Sequence, residues 1–135
     1  ERVIIRSSFA SKLPDVVADM RSVRQIALNI LSNAIRYTQA GGQVIVSTAY
    51  ETSGDVVMRV RDTGVGMSQA EIEQALKPFK QINSLKRARG DGTGLGLPLT
   101  KAMVEANRAI FAIESTPSEG TMVEITFPST RVLAD

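Results

Sequence analysis

Two asparagines four residues apart, Asn29 and Asn33, are followed three and four positions later by Arg36 and Tyr37. On a helix this spacing puts all four on one face. Asparagine is a poor occupant of helix interiors because its amide competes for backbone groups. A solvated polar face would explain the pattern. So would two amide oxygens converging on a hard cation beside phosphate, since Mg²⁺ takes oxygen ligands and completes its shell with water and phosphate oxygens. A second cluster is Asp62-Thr63-Gly64-Val65-Gly66. A carboxylate ending an apolar strand needs a donor partner if it is buried, and an adenine amino group is such a donor. Glycine lets the backbone turn sharply and approach a ligand. An ordinary Asp-Gly turn reads the same way. The third cluster is Gly92-Thr93-Gly94-Leu95-Gly96-Leu97. At a helix start, unpaired N–H groups and the positive dipole end attract anions. A flexible hinge would look alike. The run is neither a Walker A sequence nor the dinucleotide GxGxxG pattern.

The elements that must position these residues follow from periodicity. Residues 3–9 read as a short strand. Val23, Ile26, Ala27, Ile30, Leu31 and Ala34 recur at helical spacing, with Asp19 or Ser22 as cap and Gly41-Gly42 as stop. Residues 43–51 and 55–61 alternate as two strands around Thr52-Ser53-Gly54, a hairpin. Ser68 and Glu71 form a capping-box pattern for a short helix ending near Leu76. Residues 77–94 lack periodicity and read as a long loop, residues 95–106 as a helix. Residues 109–115 and 121–127 close as a hairpin around Pro117-Ser118-Glu119-Gly120. The order predicts one α/β domain over residues 1–135: a two-layer sandwich of a mixed, largely antiparallel sheet with helices on one face.

Composition narrows the chemistry. The 135 residues contain no Cys and no His, which excludes disulfides, thiolate or imidazole metal sites and an imidazole base. A net charge of +2 gives no global field for nucleic acid or anionic lipid. The local exception is Lys77, Lys80, Lys86, Arg87 and Arg89, a stretch without acids beside the third glycine cluster. No apolar run matches a membrane span, so any anchor of a parent protein is expected outside this chain.

Taken together, the clusters resemble the GHKL ATPase superfamily and, within it, the catalytic domains of sensor histidine kinases. Leu28-Asn29-Ile30-Leu31-Ser32-Asn33-Ala34 resembles the N box and Asp62-Thr63-Gly64-Val65-Gly66 the G1 box. Lys77-Pro78-Phe79 is similar to the F box, Gly92 to Leu97 to the G2 box, and Glu119-Gly120-Thr121 to the last glycine box. The resemblance runs from about residue 15 to 128. It implies the Bergerat ATP-binding fold, ATP and Mg²⁺ as cofactors, and transfer of the γ-phosphoryl group to a histidine on an adjoining dimerisation domain outside this chain. It implies a cytoplasmic domain of a homodimeric parent kinase, with a response regulator downstream and no nucleic-acid or direct membrane contact. Asn29 and Asn33 would serve catalysis and the metal, and Asn33 and Arg36 the phosphates. Tyr37 would flank the adenine. Asp62 would hold the adenine amino group, supported by Thr121, with Gly64 and Gly66 in the turn beside it. Gly92, Thr93, Gly94, Leu95 and Gly96 would line the phosphates. Residues 80–91 would be a mobile lid presenting Lys80, Arg87 and Arg89.

Two departures stand out. ATP-hydrolysing members of the superfamily resemble one another in placing a water-activating Glu where Asn29 stands, which weighs against a gyrase- or Hsp90-like hydrolase. Asn107-Arg108-Ala109 replaces a His-Gly-Gly-like turn of many histidine kinases, and its residue types alone assign it no role. The sequence weakly resembles the alphaproteobacterial cell-cycle kinases. The competing expectation is a pseudokinase that binds nucleotide without phosphotransfer.

Overall fold

The computed structural model describes residues 3–10, 12–77 and 96–133. Five strands form the main sheet: β1 Ile4–Ser8, β3 Gln43–Tyr50, β4 Val56–Asp62, β5 Ile110–Thr116 and β6 Gly120–Phe127, in the order β1-β3-β4-β6-β5. Only β1 runs parallel to its neighbour; the other three pairings are antiparallel. Among the described residues, three α-helices accompany it: α1 Met20–Arg36, α2 Gln69–Ala75 and α3 Gly96–Ala106. A two-residue ribbon of β2 Asp15–Val16 with β7 Val132–Leu133 ties the two ends together and was not expected from the sequence.

The apolar stripe of α1 decides the layering. Ile26, Ile30 and Ala34 are buried against Val44, Val56, Val60, Val123, Ile125 and Phe127, the alternate residues of three strands, and Val104 of α3 closes the same core. That alternation fixes the register, because a one-residue slip would move every one of these side chains to the outer face. The outer face is polar where it can be, as in the pair of Arg59 Nε with Glu124 Oε2 at 2.6 Å.

Helix starts follow the local chemistry. Asp19 caps α1 by accepting from the Arg21 amide, and Ser68 and Glu71 complete both halves of the capping box of α2. Each such cap stabilises its helix by about 1 kcal/mol. Helix α3 ends in a Schellman turn: Ala109 N–H donates to Val104 O and Arg108 N–H to Glu105 O. Arg108 occupies the left-handed position of that turn, with φ 63°, where glycine is the usual residue. This gives the Asn107-Arg108-Ala109 departure a structural role: the turn is made without glycine. Among the described residues, no helix is long and apolar enough to cross a membrane.

Candidate functional site

The ends of four elements converge at one corner. Asp62 is the last residue of β4, paired with Thr121 of β6, which is paired in turn with Ser115 of β5. The three side chains thus form one cross-strand row on the helix-covered face. The C-terminus of α1 joins them, because Val65 N–H donates to the Tyr37 carbonyl at 3.3 Å.

Asp62 is 6% exposed. Its Oδ1 accepts the Gly64 amide at 2.8 Å and the Thr121 amide at 3.2 Å. Among the described residues, none donates to Oδ2. Burial pushes the carboxyl above its usual range, and the two amide hydrogen bonds pull against that shift without cancelling it. A buried carboxylate with one oxygen fixed and the other open is an acceptor poised for an outside donor. Beside it, Ser115 Oγ contacts Thr121 Oγ1 at 2.7 Å and Gly120 O at 2.9 Å, and accepts the Met67 amide at 2.7 Å. Ser115 was missed by sequence reasoning, since a serine near a strand end carries no signal until the register places it.

Gly64 and Gly66 have a reason to be glycine that needs no ligand. A Cβ on Gly64 would overlap the Tyr37 carbonyl. Gly66 has φ 70°, and a Cβ there would overlap the Thr116 carbonyl. The backbone they approach is the protein's own.

On α1, Asn29 and Asn33 are half-buried along the flank of the core stripe, three residues after the buried Ile26 and Ile30 respectively. Gln25 Nε2 donates to Asn29 Oδ1 at 2.8 Å, and Arg36 Nη1 reaches Asn33 Oδ1 at 3.4 Å. Each amide oxygen keeps a second lone pair. Arg36 also lies over the Tyr37 ring, 5.7 Å from its centroid, and Tyr37 is 45% exposed at the helix C-cap. These are hard oxygen donors of the kind Mg²⁺ accepts. Among the described residues, no group of three or more acidic, His or Cys side chains could hold a metal ion. A cleft of about 340 Å³ opens at this corner, but it wraps the strand ends to include Arg61 and Glu114 and does not reach the α1 face. The hydrogen-bond pattern therefore marks the site better than the cleft does.

The structure brings together Tyr37, Asp62, Gly64, Gly66 and Thr121, with Asn33 and Arg36 within one helical turn of Tyr37 and Asn29 one turn further. Gly96 opens α3. Lys80, Arg87, Arg89, Gly92, Thr93, Gly94 and Leu95, with the expected lid, lie outside the described residues.

Comparison with known proteins follows the same lines. The model of the histidine kinase-, DNA gyrase B-, and HSP90-like ATPase family matches residues 18–131. The cell-division control histidine kinase PdhS of Brucella abortus (strain S19) is 71% identical over 143 aligned positions, covering 100% of this chain and 14% of that protein. PdhS of Brucella suis biovar 1 (strain 1330) gives the same figures. The chain thus spans 14% of the length of the curated relatives it matches. Among solved structures, full-length ShkA in complex with AMPPNP superposes with a TM-score of 0.78 at 26% identity, covering 98% of this chain and 27% of that one. The mycobacterial sensor histidine kinase MprB shares the fold at 22% identity, with a TM-score of 0.75 over 93% of this chain and 81% of that one. The chain belongs to the histidine kinase-, DNA gyrase B-, and HSP90-like ATPase family, within which the Brucella relatives named above are histidine kinases.

Proposed function

We propose that this chain is the ATP-binding catalytic domain of a sensor histidine kinase. It binds ATP with Mg²⁺ and donates the γ-phosphoryl group to a histidine on a dimerisation domain elsewhere in a homodimeric parent, with a response regulator downstream. It works in the cytoplasm, where ATP is. The observation that carries this reading is Asp62, buried with Oδ1 held by two backbone amides and Oδ2 open. An adenine amino group supplies the missing donor, and Thr121 stands beside it.

The chain's own residues do the positioning. Tyr37, half-exposed at the C-cap of α1, covers the ring. Asn33 and Asn29 would offer amide oxygens to the metal and phosphates, and Arg36, which reaches Asn33 Oδ1, would add a positive charge beside them. Gly92, Thr93, Gly94 and Leu95 are assigned to the phosphates on sequence alone, as are Lys80, Arg87 and Arg89; Gly96 extends that run into α3. Mg²⁺, when bound, neutralises charge on the transferring phosphoryl group. Catalysis of this kind is mostly orientation and electrostatics. An amide at position 29 is not basic enough to deprotonate water, which keeps the γ-phosphoryl group for its histidine acceptor.

The test mixes this chain with the phosphoacceptor domain of its parent and follows radiolabel from [γ-³²P]ATP. Label on histidine is expected, and Asn33→Ala is expected to lower the rate by about 100-fold or more. The melting temperature should barely change, because among the described residues the Asn33 side chain makes just the long hydrogen bond to Arg36. Nucleotide binding without label transfer would leave a pseudokinase, and loss of folding in the variant would make Asn33 structural.

A further inference from the structure

The three oxygens at the floor of the site can be assigned their protons by counting. A serine hydroxyl has one proton and two lone pairs. Ser115 Oγ faces three partners: the Met67 amide at 2.7 Å, the Gly120 carbonyl at 2.9 Å and Thr121 Oγ1 at 2.7 Å. An amide can only donate, so Met67 takes one lone pair. A carbonyl can only accept, so the proton goes to Gly120; any other choice sets two oxygens against each other at 2.9 Å with no hydrogen between them. The remaining lone pair must then receive the Thr121 hydroxyl proton. Thr121 has no second proton to give, so its oxygen is left with lone pairs only.

We infer that Ser115 is a positioning residue that fixes the Thr121 hydroxyl as an acceptor and thereby sets selectivity for purines carrying a 6-amino group. The inference rests on the nucleotide-binding reading above. Ser115, Thr121 and Asp62 share one cross-strand row, and the Thr121 amide already binds Asp62 Oδ1. The open Oδ2 of Asp62 and the Thr121 oxygen, its proton committed to Ser115, present two acceptors on neighbouring strands. An exocyclic amino group brings two protons to such a pair, directly or through one water. A 6-oxo group brings lone pairs and is repelled. Without Ser115, the Thr121 hydroxyl can rotate and donate, and the penalty against a 6-oxo ring falls.

The experiment measures Mg-ADP and Mg-IDP affinities by calorimetry on the 135-residue chain and on Ser115→Ala, Ser115→Thr, Thr121→Val and the Ser115→Ala/Thr121→Val pair. The wild type is expected to prefer ADP. Ser115→Ala should cut the ADP-over-IDP ratio by roughly five- to tenfold, the scale of one ordered hydrogen bond. Ser115→Thr, which keeps the hydroxyl, should retain the ratio. Because Ser115 acts through the Thr121 hydroxyl, Ser115→Ala should change the ratio no further once Thr121 is Val. An unchanged ratio in Ser115→Ala overturns the inference. So does an equal drop in both backgrounds, which would make Ser115 a general prop for the Met67 loop. Wild-type chain that binds no ADP would overturn the nucleotide reading as well, so the two failures are distinguishable.

Discussion

Asn107 and Asp62 are buried to nearly the same degree, 7% and 6% exposed, near opposite ends of α1. Asn107 uses both ends of its amide. Oδ1 accepts the Asp19 amide at 2.8 Å and Nδ2 donates to Met103 O at 2.9 Å, clasping the start of α1 to the end of α3. Asp62 holds two backbone donors on one oxygen and leaves the other open, at the cost of a carboxyl whose ionisation burial disfavours. A buried polar group with every partner supplied from within is structure. One left half-satisfied, and uncomfortable in its charged form, is where a ligand belongs.

The sharpest way to break this contrast is at Asp62. Asp62→Asn keeps an oxygen for the two amides but turns an NH₂ toward the ligand. ADP affinity should fall by about 100-fold, the scale of a lost charge-assisted hydrogen bond plus a donor facing a donor. Folding stability at neutral pH should hold or rise. Burial holds the native carboxyl above the usual carboxylate range, so at neutral pH the native state is penalised for carrying the charge. That penalty is relieved as pH falls through the raised native value. The stability advantage of the Asn variant should therefore shrink on acidification, the opposite of what a salt-bridged aspartate gives. Urea melts between pH 7 and pH 4 with calorimetry for ADP read both halves; a variant that loses stability at pH 7 would make Asp62 a structural residue.

Asn107→Ala should show the mirror image. It leaves the Asp19 amide without its partner and should cost about 2–3 kcal/mol in urea denaturation, with ADP affinity of the folded fraction unchanged. Loss of binding at full folding would place Asn107 in the site. The smallest expected effect is at the adjacent turn. Arg108→Gly relieves a left-handed φ of 63° and should stabilise by about 0.5–1 kcal/mol, read as a higher denaturant midpoint at constant slope.

Much of this was legible in the sequence. The stripe of α1, the capping box of α2 and the alternation of β3 and β4 are local signals; α2, β3 and β4 stand within a residue or two of their expected places, and α1 starts at its expected cap Asp19 but ends at Arg36, short of the Gly41-Gly42 stop. Asp62 was legible because a carboxylate ending an apolar strand is a local conflict. What escaped depends on long-range pairing. The β2–β7 ribbon joins two-residue strands from the two ends of the chain, too short for any period to show. Asn107 meets a backbone amide 88 residues away, and nothing near either partner announces the other. Ser115 looks like any strand serine until β5 is laid against β6. Gly64 and Gly66 were read as a sharp turn able to approach a ligand; that a Cβ there would also meet the Tyr37 and Thr116 backbone shows only once the chain is folded.

The pairing of Asp62 with Thr121 joins positions 59 residues apart, across the β4–β6 contact at the middle of the sheet. Closing so long a loop costs chain entropy before any contact repays it, so strand pairings of this range set the pace of folding. The proposed nucleotide site therefore does not exist in a half-assembled chain. A bound nucleotide can hold the finished domain shut and slow its unfolding, but it has nothing to grip earlier and cannot hurry the chain along. A nascent domain must complete its central sheet unaided, and from then on the ligand acts as a latch on a structure it had no part in building.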